Sequence, residues 1–167
     1  FQESAPEIFY TFAQVAAECS ARHFGLTHTG YFKSPDTSWD SETGQGKAYV
    51  AYSFGVQIAE AEVDMQTGEA RVLDIWAAHD LGKVVNPKMA QGQIEGGVVQ
   101  GVGYSLMEFI ALDGKGRIQN PSFSNYIIPT SLDAPLVHSE IVESVYPEGP
   151  FGVKGFGETP LMGVAAC

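Results

Sequence analysis

Asn86-Pro87-Lys88-Met89-Ala90-Gln91-Gly92-Gln93-Ile94-Glu95-Gly96-Gly97-Val98-Val99-Gln100-Gly101-Val102-Gly103 is the stretch on which the fold turns. Asn86 followed by Pro87 is an N-cap and first-turn pair: the asparagine side chain accepts a helix N–H, and proline gives up a donor that has no intrahelical partner. Ala90, Ile94, Gly97, Val98, Gly101, Val102, Ser105, Leu106 and Phe109 then fall on one face, so the spacing predicts a helix to about Phe109. Gly92, Gly96, Gly97, Gly101 and Gly103 lie inside it, each costing roughly 1 kcal/mol relative to alanine in a helix interior. A close approach must offset that cost. Packing against a sheet would provide it, and so would a bulky ligand along the first turns, where Gln91, Gln93 and Glu95 are polar. Gly101-Val102-Gly103 is not a dinucleotide fingerprint, because Leu106 stands where a third glycine is needed and no strand precedes it.

Strand patterns flank this helix. Upstream, Val50, Tyr52, Phe54, Val56 and Ile58 alternate with small or polar residues from Ala48 onward, and the phase changes near Ala59, where a bulge or twist is expected. Asp64 to Gly68 forms a hairpin turn, and Arg71 to Ala78 returns as an antiparallel partner. Further upstream, Ile8, Phe12, Val15, Ala16 and Cys19 mark an amphipathic helix over Ala5–Phe24 with Gly25 as its stop. Leu26–Phe32 then reads as a short strand. Downstream, Leu112 to Arg117 is another hairpin turn, and Leu136 to Val145 alternates as a strand. The resulting fold class is α+β, a mainly antiparallel sheet packed with a long glycine-rich helix. Residues 1–167 are expected to be a single domain or a fragment of a longer polypeptide, since the chain starts at Phe1 and stops within a last helix.

Near the end, Gly149-Pro150-Phe151-Gly152-Val153-Lys154-Gly155-Phe156-Gly157-Glu158-Thr159-Pro160 has the glycine density of a loop that approaches a ligand. Thr159 and Pro160 read as cap and first turn of the helix that follows, which puts Glu158 just outside a helix N-terminus, where a carboxylate is stabilised in its charged form. Glu158 is therefore a candidate base. An ordinary glycine-rich turn with an acidic capping residue accounts for the same pattern.

Composition narrows the function. Nine basic against twenty acidic residues give a net charge of −11, which disfavours nucleic acid and anionic membranes. No apolar run reaches a membrane span. Cys19 and Cys167 lack the spacing of a disulfide framework or zinc site, which fits a reducing cytoplasm, and the four histidines are scattered without metal-ligand spacing.

Two motifs carry a resemblance. Gly92-Gln93-Ile94-Glu95-Gly96-Gly97-Val98-Val99-Gln100-Gly101-Val102-Gly103, preceded by His79-Asp80-Leu81-Gly82 and Asn86-Pro87, is similar to the C-terminal molybdopterin-binding region of the xanthine dehydrogenase and aldehyde oxidase family of molybdenum hydroxylases. Lys154-Gly155-Phe156-Gly157-Glu158-Thr159-Pro160 resembles that family's active-site segment, with Thr159 where the family often has proline; Thr29-Gly30-Tyr31-Phe32 and Tyr52-Ser53-Phe54-Gly55-Val56 also match in order. The resemblance implies that Glu158 is the catalytic base, that Gln93 hydrogen-bonds the pterin, and that the backbone of Lys154, Gly155, Phe156 and Gly157 borders it. No protein metal ligand is implied. It further implies a molybdopterin cofactor, plain or as the cytosine dinucleotide, and a small-molecule substrate, an N-heterocycle or aldehyde. The implied partners are the upstream part of a large subunit and 2Fe–2S and FAD modules, in an oligomeric parent. The chain alone is then expected to be inactive. The alternative is a non-catalytic module whose glycine-rich loop binds an anion.

Overall fold

The computed structural model describes residues 9–167. The chain divides into two compact units, Phe1–Lys33 and Ser34–Cys167. In the first, helix α1 spans Phe12–Ala21. Thr11 caps it: its hydroxyl accepts from the Gln14 N–H while the Gln14 side chain accepts from the Thr11 N–H, a reciprocal capping box. The expected start at Ala5 and the contact of Ile8 lie outside the described residues. The helix stops before Gly25, because the chain turns at His23, which takes a left-handed φ of 61°. Residues 26–32 form no strand, correcting that expectation; among the described residues no ladder partner is paired with them.

The second unit is a three-stranded sheet with helices on one face. Strands β1 (Gly55–Val63) and β2 (Ala70–Asp80) form the expected antiparallel hairpin, whose ladder slips between Glu60 and Ala61, one residue from the predicted bulge. Helix α2 (Pro87–Leu106) follows, capped by the Asn86 side chain, which accepts from the Met89 N–H. Strand β3 (Leu136–Val142) then joins β2 in parallel, so the sheet is mixed rather than mainly antiparallel. The reason is the crossover: residues 81–135, including α2, carry the chain back to the starting end of β2, which a tight turn cannot do.

Two further expectations are corrected. Strand β1 begins at Gly55 instead of Ala48, because the carbonyls of Val50 and Tyr52 are taken by side chains, the Tyr146 hydroxyl and the Lys154 ammonium, each at 2.9 Å. Its inward positions are Gln57 and Ala59, so Val56 and Ile58 project from the opposite, exposed face. Helix α3 is short, Leu161–Val164, with Pro160 rather than Thr159 at its cap. The Leu161 and Met162 N–H groups donate to the Glu158 and Thr159 carbonyls, so no hydroxyl cap forms.

Ile75, Ala77, Ile94, Val98, Val102 and Val164 make the core, where α2 and α3 meet the inner face of the sheet. The helix glycines settle how. A Cβ at Gly97 would lie 3.0 Å from the Pro160 Cβ, and one at Gly101 would lie 2.6 Å from the Val164 Cβ. Backbone thus packs against α3 where a side chain would hold the helices apart, whereas Gly92 and Gly96 have nothing within 4 Å.

Candidate functional site

The site grows from the end of β2. His79 and Asp80 are consecutive in a strand, so their side chains leave on opposite faces. Both are buried. The Asp80 carboxylate accepts from the Gly82 N–H at 2.9 Å and from the Lys154 ammonium, an ion pair whose side chains are only 5% and 9% exposed. Burial alone raises the Asp80 carboxyl, but the Lys154 hydrogen bond, the Gly82 N–H, the Lys154 charge and a Ser144 N–H together outweigh it, leaving the group below its ordinary value. Burial lowers the His79 imidazole. Main-chain bonds join the same strand end to the glycine loop: Lys154 N–H donates to Leu81 at 3.0 Å, and Lys83 N–H to Gly152 at 2.8 Å.

Beyond Lys154 the loop alternates. Lys154, Phe156 and Pro160 turn inward, Phe156 against the core with its ring 5.9 Å from that of His79, while Gly155, Gly157 and Glu158 are exposed. Among the described residues, none of the successive N–H groups from Gly155 to Thr159 donates to a protein acceptor. No Cβ at Gly155 or Gly157 would meet anything within 4 Å. The loop therefore offers a run of free donors on an open, side-chain-free backbone, with one carboxylate beside it.

Helix α2 brings the second motif alongside. Gly97 touches Pro160 and Gly101 touches Val164, so α2 and α3 run in the same sense. Gln93, one turn before Gly97 on the same face, is carried toward the Glu158 end of that contact. Gln93 is exposed, and among the described residues its amide has no hydrogen-bond partner. The helix that carries Gln93 and the loop that carries Glu158 thus meet at the Gly97–Pro160 contact, four residues beyond Gln93 and two beyond Glu158. Lys154 contributes through its backbone alone, because its ammonium is committed to Asp80 and Tyr52.

Sequence reasoning missed three polar residues behind the loop. The Gln57 amide nitrogen donates to the Pro160 carbonyl at 2.6 Å and lies 3.1 Å from the His79 Nε2, while Gln57 Oε1 and His79 Nδ1 are buried without partners among the described residues. His79 and Asp80 stand in a quoted motif, yet nothing local marks them as supports; Gln57 carries no motif at all. Among the described residues, no three His, Cys, Asp or Glu side chains converge as metal ligands. The donor set suits an anionic or polar organic group.

Residues 2–135 match the family described as a molybdopterin cofactor-binding domain. The chain belongs to that family. The matched stretch contains Gln93 and ends before the Glu158 loop. The xanthine dehydrogenase molybdenum-binding subunit of Escherichia coli O157:H7 is 36% identical over 116 residues, covering 69% of this chain and 15% of that protein. The xanthine dehydrogenase/oxidase of Gallus gallus is 33% identical over 142 residues, covering 82% of this chain and 10% of that protein. Among solved structures, the aldehyde oxidoreductase from Desulfovibrio gigas superposes with a TM-score of 0.75 at 32% identity, covering 95% of this chain and 17% of that one. The chain spans 10–15% of the length of these curated relatives. No helix among the described residues is long and apolar enough to cross a membrane.

Proposed function

We propose that this chain is the C-terminal part of the large subunit of a cytoplasmic molybdenum hydroxylase of the xanthine dehydrogenase and aldehyde oxidase type. The observation that carries it is the run of N–H groups from Gly155 to Thr159, unpaired among the described residues and ending at the contact of Pro160 with the helix that carries Gln93, in a molybdopterin-binding family member. These donors fit a polar, anionic cofactor. The backbone from Lys154 to Gly157 would border it and the Gln93 amide would hydrogen-bond its pterin. The cofactor, when bound, supplies the two-electron oxidation that places a water-derived oxygen on an electron-poor carbon of an N-heterocycle or aldehyde.

Glu158 serves as general base, its carboxylate taking up the proton released from that water. Exposure on the loop leaves the carboxylate free to meet a substrate, and Gly155 and Gly157 let the reacting groups come close to the backbone. The remaining substrate contacts would come from upstream in the same subunit, and electrons would leave through 2Fe–2S and FAD modules, so this chain alone would not turn over. The experiment is Glu158→Gln in the intact complex. Turnover should fall about 10²–10⁴-fold with molybdenum and pterin content unchanged, because the amide keeps the shape but cannot accept a proton. Wild-type turnover would refute the base assignment, and absence of molybdenum and pterin from the wild-type complex would favour a non-catalytic anion-binding loop.

A further inference from the structure

We infer that Gln57 and Asp80 are positioning residues: they pin the two ends of the segment from Lys154 to Pro160, and these pins set where Glu158 stands. The inference rests on the reading of Glu158 as base. At the first pin, the Lys154 ammonium bonds the Asp80 carboxylate and the Tyr52 carbonyl, and its N–H bonds Leu81. Both charges are almost wholly withdrawn from solvent, an arrangement whose attraction is largely offset by desolvation, so its return lies in fixing geometry rather than in general stability.

The second pin is Gln57. The Pro160 carbonyl can only accept, so the Gln57 nitrogen, not its oxygen, must face it; the other amide hydrogen then points at His79 Nε2, which accepts as a neutral imidazole protonated at Nδ1. This choice strands Gln57 Oε1 and His79 Nδ1 without partners among the described residues. The arrangement therefore forgoes satisfying two buried groups in order to hold Pro160. Gly163 makes room for it, since a Cβ there would lie 2.5 Å from Gln57 Oε1. Between the pins, Phe156 is the remaining inward anchor, and Gly155 and Gly157 would otherwise let the backbone wander. His79 and Asp80 leave β2 on opposite faces, so the strap crosses the end of the sheet with Glu158 on its outer side.

The test is Gln57→Leu in the intact complex, read by steady-state kinetics and by hydrogen exchange of the Leu161 and Met162 amides, which are bonded to the Glu158 and Thr159 carbonyls at the Pro160 end of the strap. A misplacement of the base by about 1 Å costs up to roughly 10²-fold. The expected result is a kcat lowered at least about tenfold, KM and molybdenum content near wild type, and faster exchange confined to Leu161 and Met162. Wild-type kcat and exchange would overturn the inference. If Gln57→Leu does not assemble, the double variant Lys154→Met/Asp80→Asn removes the other pin without leaving a buried charge, and the same readouts decide. Failure of both variants to assemble would also overturn it, because the contacts would then serve the fold and not the strap. Glu158→Gln run in parallel separates the two readings: if it keeps wild-type turnover the base assignment fails, whatever the exchange of the strap.

Discussion

His79 must stay uncharged for Gln57 to donate to it, and burial holds its folded pKa below the ordinary histidine value of about 6.5. A depressed pKa contributes stability that is present above the unfolded value and lost as pH falls through the folded one. The midpoint of urea unfolding should therefore decline as pH drops below about 6.5, and His79→Gln should flatten that part of the profile; an equally steep decline in the variant would sink the attribution. Asp80 is depressed as well, so its share is lost in a separate window below the ordinary carboxyl value near 3.8. Lys154→Met leaves the Asp80 carboxylate buried and unpaired and should cost about 3–5 kcal/mol, while adding Asp80→Asn should recover most of it. Equal losses in the single and double variants, measured by denaturant melts, would contradict the pairing. Glu158, Gln93 and the glycine loop stand out as candidates because motif and composition mark them within a few residues. The pins do not, for Asp80 and Lys154 lie 74 positions apart and Gln57 and Pro160 lie 103 apart.

Two glycines of α2 with the same helix propensity should respond oppositely to alanine. At Gly101 the new Cβ would sit 2.6 Å from the Val164 Cβ, and parting α2 from α3 should cost about 1–3 kcal/mol, more than the propensity gain returns. At Gly92 nothing lies within 4 Å, so Gly92→Ala should stabilise the apo chain by up to about 1 kcal/mol. Thermal melts of both variants check this, and a shift of the same sign in each would refute the contact as the cause. The helix itself was readable since its start is local: Asn86 and Pro87 announce it, and the face carrying Ile94, Gly97, Val98 and Gly101 is the buried one. Strand direction was not. Whether β3 pairs parallel or antiparallel depends on the path of residues 81–135, and alternation within seven residues holds no record of that path. The inward side of β1 misled for a related reason, as its larger apolar residues face away from the core, and sequence alternation cannot say which face is covered.

At the scale of the molecule, Val56, Ile58, Trp76 and Leu136 share the sheet face away from α2 and are 42–62% exposed. An apolar face of this kind favours association. The chain studied alone should bind a hydrophobic dye and sediment with rising mass as concentration increases, despite its charge of −11, and Ile58→Glu with Leu136→Glu should reduce both. A dye-silent monomer at all concentrations would argue against it. The parallel pairing of β2 with β3 also sets a clock. The β1–β2 hairpin closes across a few residues, but β3 must wait for the long excursion through α2, because distant contacts form after the chain entropy between them has been overcome. Pulse-labelled refolding should protect amides of the hairpin before those of β3, and simultaneous protection would contradict this order. The Gly155–Glu158 run is tied at Lys154 to Asp80 of β2 and at Pro160 to Gln57 of β1, contacts 74 and 103 positions apart, so its donors are gathered only after the hairpin has closed, and a ligand arriving earlier would meet α2 without the loop that ends against it.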